Sequence, residues 1–197
     1  MKTQSNKTLW FGIGLGLACP VLVLAIWLFA AHKDGDAPQL AQEGWRLWQS
    51  GRPAEAIPKF DRAVELDPKN PETWNGLGWA NFNTGRAQQA EKAFQKVLSL
   101  EPDHPAALNG LGQIYLAQKK YGEAETYLLK ASPRAPAAWY GLARLYLIQG
   151  KFEQAEEWAR KIVESGQGDE GARALLQAAK FHDKKLSDGL RFMIEPP

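Results

Sequence analysis

The chain has 197 residues, of which 45% are hydrophobic and 23% charged, enough apolar content for one compact helical array with covered ends. The formal charge is +2, and both surplus cations, Lys2 and Lys7, precede the first apolar stretch, so the remainder is near neutral; that excludes the strongly basic face that nucleic acid requires. One cysteine, Cys19, rules out a disulfide framework.

In chain order, a short basic head (1–8) leads into Leu9–Ala31, which has no charged residue. About 20 apolar residues cross the hydrocarbon of a bilayer, so this segment is expected to be a transmembrane helix. A cleaved signal peptide has a shorter apolar core of about 7–15 residues and a small-x-small cleavage site, and neither fits. Lipidation at Cys19 is disfavoured by Pro20 and by the apolar run continuing to Ala31. The head resembles an uncleaved signal anchor, which places the N-terminus in the cytoplasm and the rest in the periplasm; the alternative leaves the rest in the cytosol. Gly12-x-x-x-Gly16 is the spacing that lets two membrane helices touch, so a homo-oligomer stands as an alternative assembly. Residues 32–37 read as a linker.

From residue 38 a 34-residue period sets in: Gly44, Gly78 and Gly112; Ala56, Ala90 and Ala124; Phe60, Phe94 and Leu128. A period of this length marks a solenoid of stacked helix pairs. The pairs are amphipathic, for example Pro71 to Thr84 and Ala87 to Leu100. Gly51, Gly85 and Gly150 are placed to end first helices in the left-handed conformation, and Pro71, Pro105 and Pro136 suit first helical turns. Pro58 falls about one turn into its helix and is expected to remove a hydrogen bond or to shift the helix start. The Pro-x-x-Pro series at Pro68, Pro102 and Pro133 is spaced by 34 and then by 31, so a helix between Ala124 and Pro133 should lack nearly one turn.

Trp74-x-x-Leu77-Gly78 with Ala90, Phe94 and Pro102, followed by Leu108-x-x-Leu111-Gly112-x-x-Tyr115 and Trp139-x-x-Leu142-Ala143-x-x-Tyr146, resembles the tetratricopeptide repeat. The resemblance covers residues 38–169 as four units (about 38–70, 71–104, 105–135 and 136–169), the first weaker because Glu43 stands where Leu is usual. It implies an all-α, right-handed superhelical solenoid of helix-turn-helix repeats. Residues 170–183 follow as a capping helix, with Asp169 as its cap and Ala172, Leu175, Leu176 and Ala179 as its apolar stripe. An apolar tail (184–197) ends the chain; it is expected to pack on the last helix, to enter a groove of this or another copy, or to dock on a different protein.

No catalytic or metal-binding pattern emerges. His32, His104 and His182 are scattered, and Gly76-x-Gly78 lies within a helix and lacks the Lys-Ser or Lys-Thr of a phosphate loop. His104, at a repeat junction, is expected to serve a turn. The chain is read as a non-enzyme without a cofactor. The resemblance implies that the first helix of each unit lines a concave groove, at Asn75 and Trp79, Asn109 and Gln113, Tyr140 and Arg144, bordered by Trp45, Trp48, Phe82, Asn83, Leu116 and Leu147. Aromatic, amide and Arg side chains are the types that anchor a polypeptide. Asn75 and Asn109 resemble the start of the asparagine ladder of long family members, and the Trp rings alternatively fill the groove by packing on neighbours. With Arg144 the one basic residue mapped there, recognition of a C-terminal carboxylate is disfavoured. The expected function is a membrane-tethered adaptor that holds a peptide or helix of another envelope protein, as an assembly or biogenesis factor; alternatives are a self-associating scaffold and a non-catalytic accessory subunit of an enzyme complex.

Overall fold

The computed structural model describes residues 36–181. The expected transmembrane segment (9–31) and tail (184–197) lie outside the described residues, among which no helix is long and apolar enough to cross a membrane. The described elements are α1 (Ala37–Gln49), α2 (Pro53–Leu66), α3 (Pro71–Asn83), α4 (Ala87–Leu100), α5 (Pro105–Ala117), α6 (Tyr121–Ala131), α7 (Ala137–Gln149), α8 (Phe152–Ile162), a π-type turn (Val163–Gln167) and α9 (Glu170–Lys180).

Local chemistry sets the helix ends. Side chains of Asp36, Asn70, His104 and Asp169 accept hydrogen bonds from backbone N–H groups of the first turns of α1, α3, α5 and α9, satisfying donors that have no partner inside the helix. Pro71 and Pro105 occupy the first turns of α3 and α5. Pro136 instead precedes α7 as its cap residue, because the shortened link from α6 runs through a turn at 132–134. Gly51, Gly85 and Gly150 follow the first helices at φ +76°, +74° and +72°, and Lys119 takes the same place in the third unit at φ 61°. The helix α6 has 11 residues against 14 in α4, so the missing three come out of its length. Pro58 lies inside α2, which still starts at Pro53, so the lost bond, and not a moved start, is its consequence.

The pairs interlock through one repeated contact. Phe60 of α2 inserts between Gly44 and Gly76, where a Cβ would stand 2.8 and 2.4 Å from the ring. Phe94 of α4 sits in the same way between Gly78 and Gly110, at 2.5 Å from either Cβ position, and Leu128 of α6 between Gly112 and Gly141, at 2.6 and 2.8 Å. All three plugs are fully buried, and such burial contributes roughly 1.5–3 kcal/mol for each side chain. The glycines therefore let one second-helix side chain bolt two successive first helices together. At the ends this contact stops. The α1 counterparts of Thr73, Gly76 and Ala80, which pack on the preceding second helix, are exposed Gln39, Gln42 and Arg46. Glu43, in the place of buried Leu77, pairs with Lys59 at 3.1 Å. At the other end α9 buries Ala172, Leu175, Ala178 and Ala179 and leaves Leu176 half-buried.

Candidate protein-binding groove

First helices touch in series, α1 with α3, α3 with α5, α5 with α7 and α7 with α9, whereas successive second helices do not pack on one another in that way. The first-helix side is therefore the inner, concave one. A helix buries one stripe and leaves the other to solvent; of the candidate groove residues on α3, Asn75 is buried and Trp79, Phe82 and Asn83 are half-buried.

The sequence-predicted residues divide into three groups. In the N-terminal half, Trp45 packs edge-on against Trp48 (5.6 Å between centroids) and Phe60 (5.4 Å), and Trp79 against Phe82 (5.7 Å) and Phe94 (5.3 Å). The four groove rings are half-buried. They lie on the interlocking Phe side chains and form an apolar floor, so they both fill space and present a surface. Asn83, also half-buried, ends α3 beside them.

The middle group is made of amides. Asn75 and Asn109 are each only 4% exposed. Asn109 Oδ1 accepts a hydrogen bond from Gln113 Nε2 at 3.3 Å, and Gln113 reaches across to within 2.7 Å of the Cβ position of Gly141 on α7. Among the described residues Asn75 Oδ1 has no hydrogen-bond partner, and neither has the indole N–H of Trp48, although both atoms are buried. A buried polar atom without a partner costs about 1–3 kcal/mol, so each of these atoms calls for a hydrogen bond from an ordered water or a bound group.

The third group differs from expectation. Leu116 and Leu147 are 5% and 1% exposed and belong to the core between first helices; the close approach of α5, α7 and α9 covers them. Tyr140 and half-buried Arg144 remain at the surface of α7, with the Tyr140 hydroxyl donating to Asp169 Oδ1 at 3.1 Å.

Sequence reasoning missed two features. One is the second glycine series, Gly76, Gly110 and Gly141, whose spacing of 34 and 31 repeats the break in the proline series. The other is a clasp between units: Tyr115 donates to Glu91 at 2.9 Å and Tyr146 to Glu125 at 2.8 Å, with Lys120 and Lys151 each 5.4 Å above the ring of its Tyr. Burial, and then the carboxylate at the hydroxyl, push Tyr115 up to about 12 and raise Tyr146 as well. His104 does serve the junction: Nδ1 accepts the Ala107 N–H at 3.2 Å, and Nε2 lies 3.1 Å from Glu72 Oε1. With Nδ1 an acceptor, the ring proton sits on Nε2 and is donated to Glu72. Among the described residues no cluster of His, Cys, Asp or Glu could hold a metal ion.

Two tetratricopeptide repeat sequence models match, one at residues 42–98 and 126–170 and the other at 84–136. The chain matches no curated protein in sequence. Among solved structures it is similar to PilF of Pseudomonas aeruginosa (TM-score 0.67, 20% identity, 80% of this chain and 74% of that one). It is similar also to MamA of Desulfovibrio magneticus RS-1 from residue 41 onward (TM-score 0.61, 25% identity, 80% and 92%). A thermophilic tetratricopeptide repeat protein of Thermus thermophilus shares the fold (TM-score 0.65, 17% identity, 80% and 89%). Proteins of this fold bind other proteins and are generally non-catalytic. With the first model alone spanning more than half of the sequence, the chain belongs to the tetratricopeptide repeat family.

Proposed function

We propose that the protein is a membrane-tethered adaptor that holds a segment of a partner protein in the concave groove of its repeats, as an assembly or biogenesis factor of the cell envelope. One observation carries the reading: a buried donor, Trp48 Nε1, and a buried acceptor, Asn75 Oδ1, lack partners among the described residues on a face floored by half-buried rings. A polypeptide main chain supplies both a carbonyl and an N–H. The peptide groups inside a helix are already paired, so an extended segment is favoured over a helix.

The tether is the uncharged segment Leu9–Ala31, with the basic head in the cytoplasm and the repeats in the periplasm. Holding a partner beside the bilayer raises its local concentration there, and no catalysis is needed. Protease added to spheroplasts should remove the repeats and spare the head; full protection would place the repeats in the cytosol.

The groove is tested by Asn75→Leu. This substitution replaces a side chain whose Oδ1 is unsatisfied among the described residues with an apolar one of similar size, so it should stabilise the free protein by about 1 kcal/mol while abolishing capture of the partner that the wild type retains. Trp79→Ala should lose the same partner, and Lys92→Glu on α4 should keep it. Unchanged capture by both groove variants, with folding intact, contradicts the reading.

A further inference from the structure

Resting on the groove reading above, we infer that the occupant is an uncharged polyproline II segment, with one Pro seated on the ring pair of α1 and another, three positions along, on the ring pair of α3. The rings recur with the repeat: Trp45 and Trp48 on α1 are answered 34 residues later by Trp79 and Phe82 on α3. Within each pair the rings stand nearly perpendicular, at 84° and 88°, so each of these helices presents two apolar walls set at an angle. On α5 the same two positions are Gln113 and the buried Leu116. The floor therefore has two aromatic steps, one on each first helix.

Spacing selects the conformation of the segment. Packed helix axes lie about 8–10 Å apart, and that is the step from one ring pair to its repeat on the next first helix. A polyproline II helix has three residues per turn and rises about 3.1 Å per residue, so its side chains at i and i+3 face the same way roughly 9 Å apart. A β-strand presents like-facing side chains about 6.6 or 13 Å apart, out of step with the rings. An α-helix is disfavoured because its peptide groups are already paired.

Charge and hydrogen bonding select Pro. The candidate groove residues of α1, α3 and α5 are aromatic, amide or aliphatic, so they complement an uncharged segment, and a charge laid over them would lose its water. Among the described residues they hold one buried donor and one buried acceptor without partners, Trp48 Nε1 and Asn75 Oδ1. A peptide N–H turned onto the rings away from Asn75 meets no acceptor and forfeits its hydrogen bond to water. Pro has no N–H to forfeit, and its carbonyl is an acceptor of the kind that Trp48 Nε1 calls for. The fixed φ of Pro also holds the free segment close to its bound form, so less freedom is lost on binding.

The test is selection of a random 12-residue peptide library displayed on phage against the full-length chain in lipid nanodiscs. The same selection is run on Trp79→Ala and on Asn75→Leu, with circular dichroism and thermal melting of each variant as the fold control. Peptides that are lost with either variant should carry two Pro separated by two uncharged residues. On the wild type, replacing either Pro with Leu should weaken binding at least tenfold, and one extra residue between the two Pro should weaken it as much. N-methylalanine, which also lacks the N–H, should restore most of the affinity lost with Leu. Groove-dependent peptides that lack the paired Pro, or that tolerate Leu or the extra residue, would overturn the polyproline II segment and leave the groove standing. Failure to enrich any peptide that depends on Trp79 or Asn75 would overturn both.

Discussion

Gly76, Gly110 and Gly141 decide how near successive first helices come, because each faces the side chain that bolts its unit to the one before. A methyl group at Gly76 would meet the Phe60 ring at 2.4 Å. Gly76→Ala should therefore destabilise by about 2–3 kcal/mol, the scale of overpacking a tight core, read as a fall in thermal midpoint. Gly122, in α6 with nothing within 4 Å of its Cβ position, should instead gain up to about 0.5–1 kcal/mol as Ala; equal losses at both sites would contradict the interlock. Lys119 supplies a test of the opposite sign. It holds the left-handed conformation that glycine takes in the other three units, so Lys119→Gly should stabilise by about 0.5–1 kcal/mol. The Tyr115 clasp adds a pH dependence. Its hydroxyl is raised from 10.0 to about 12 in the folded protein, so the neutral form is favoured by folding. That contribution is complete below pH 10 and is lost as pH rises through about 12. The melting temperature of Tyr115→Phe should therefore fall less across pH 10–12 than that of the wild type, and parallel curves would remove the clasp from the stability account.

Among the elements, α2 and α6 carry the departures from regularity. Pro58 removes the N–H that would pair with the carbonyl of Ala54, yet α2 continues to Leu66 because Ala56, Ile57, Phe60, Ala63 and Val64 are buried along one face. Pro58→Ala should restore the bond and stabilise by about 1–3 kcal/mol, visible as a higher denaturant midpoint with unchanged slope; no change would mean that the helix bends at this point in either sequence. Much of this organisation was legible in the sequence. The break from 34 to 31 in the prolines located the shortened α6, and Thr84-Gly85 the end of α3, because backbone chemistry acts locally. The burial of Leu116 and Leu147 was not legible, since their row is covered by neighbouring first helices, and helix-to-helix distance depends on glycines whose contact partners lie in another unit. That Asn75 Oδ1 and Trp48 Nε1 find no partner among the described residues was likewise hidden, because it depends on neighbours from other helices.

At the scale of the molecule, the repeats set half-buried rings on α1 and α3 and amides on α3 and α5 along the first-helix side, and the α1 end of the described array turns Gln39, Gln42 and Arg46 outward. Glu43 illustrates why the first unit matches the family weakly: with no described helix packed before α1, a Leu there would gain little, and the carboxylate pairs with Lys59 instead. Binding at the concave face is the central claim, and photo-crosslinking of the full-length chain in its own membranes tests it most directly. A benzophenone amino acid is placed either at Gln113, on the groove side of α5, or at Lys92, exposed on α4. The account predicts a discrete adduct with a partner polypeptide from Gln113 and none from Lys92. The same adduct from Lys92, with none from Gln113, would contradict it.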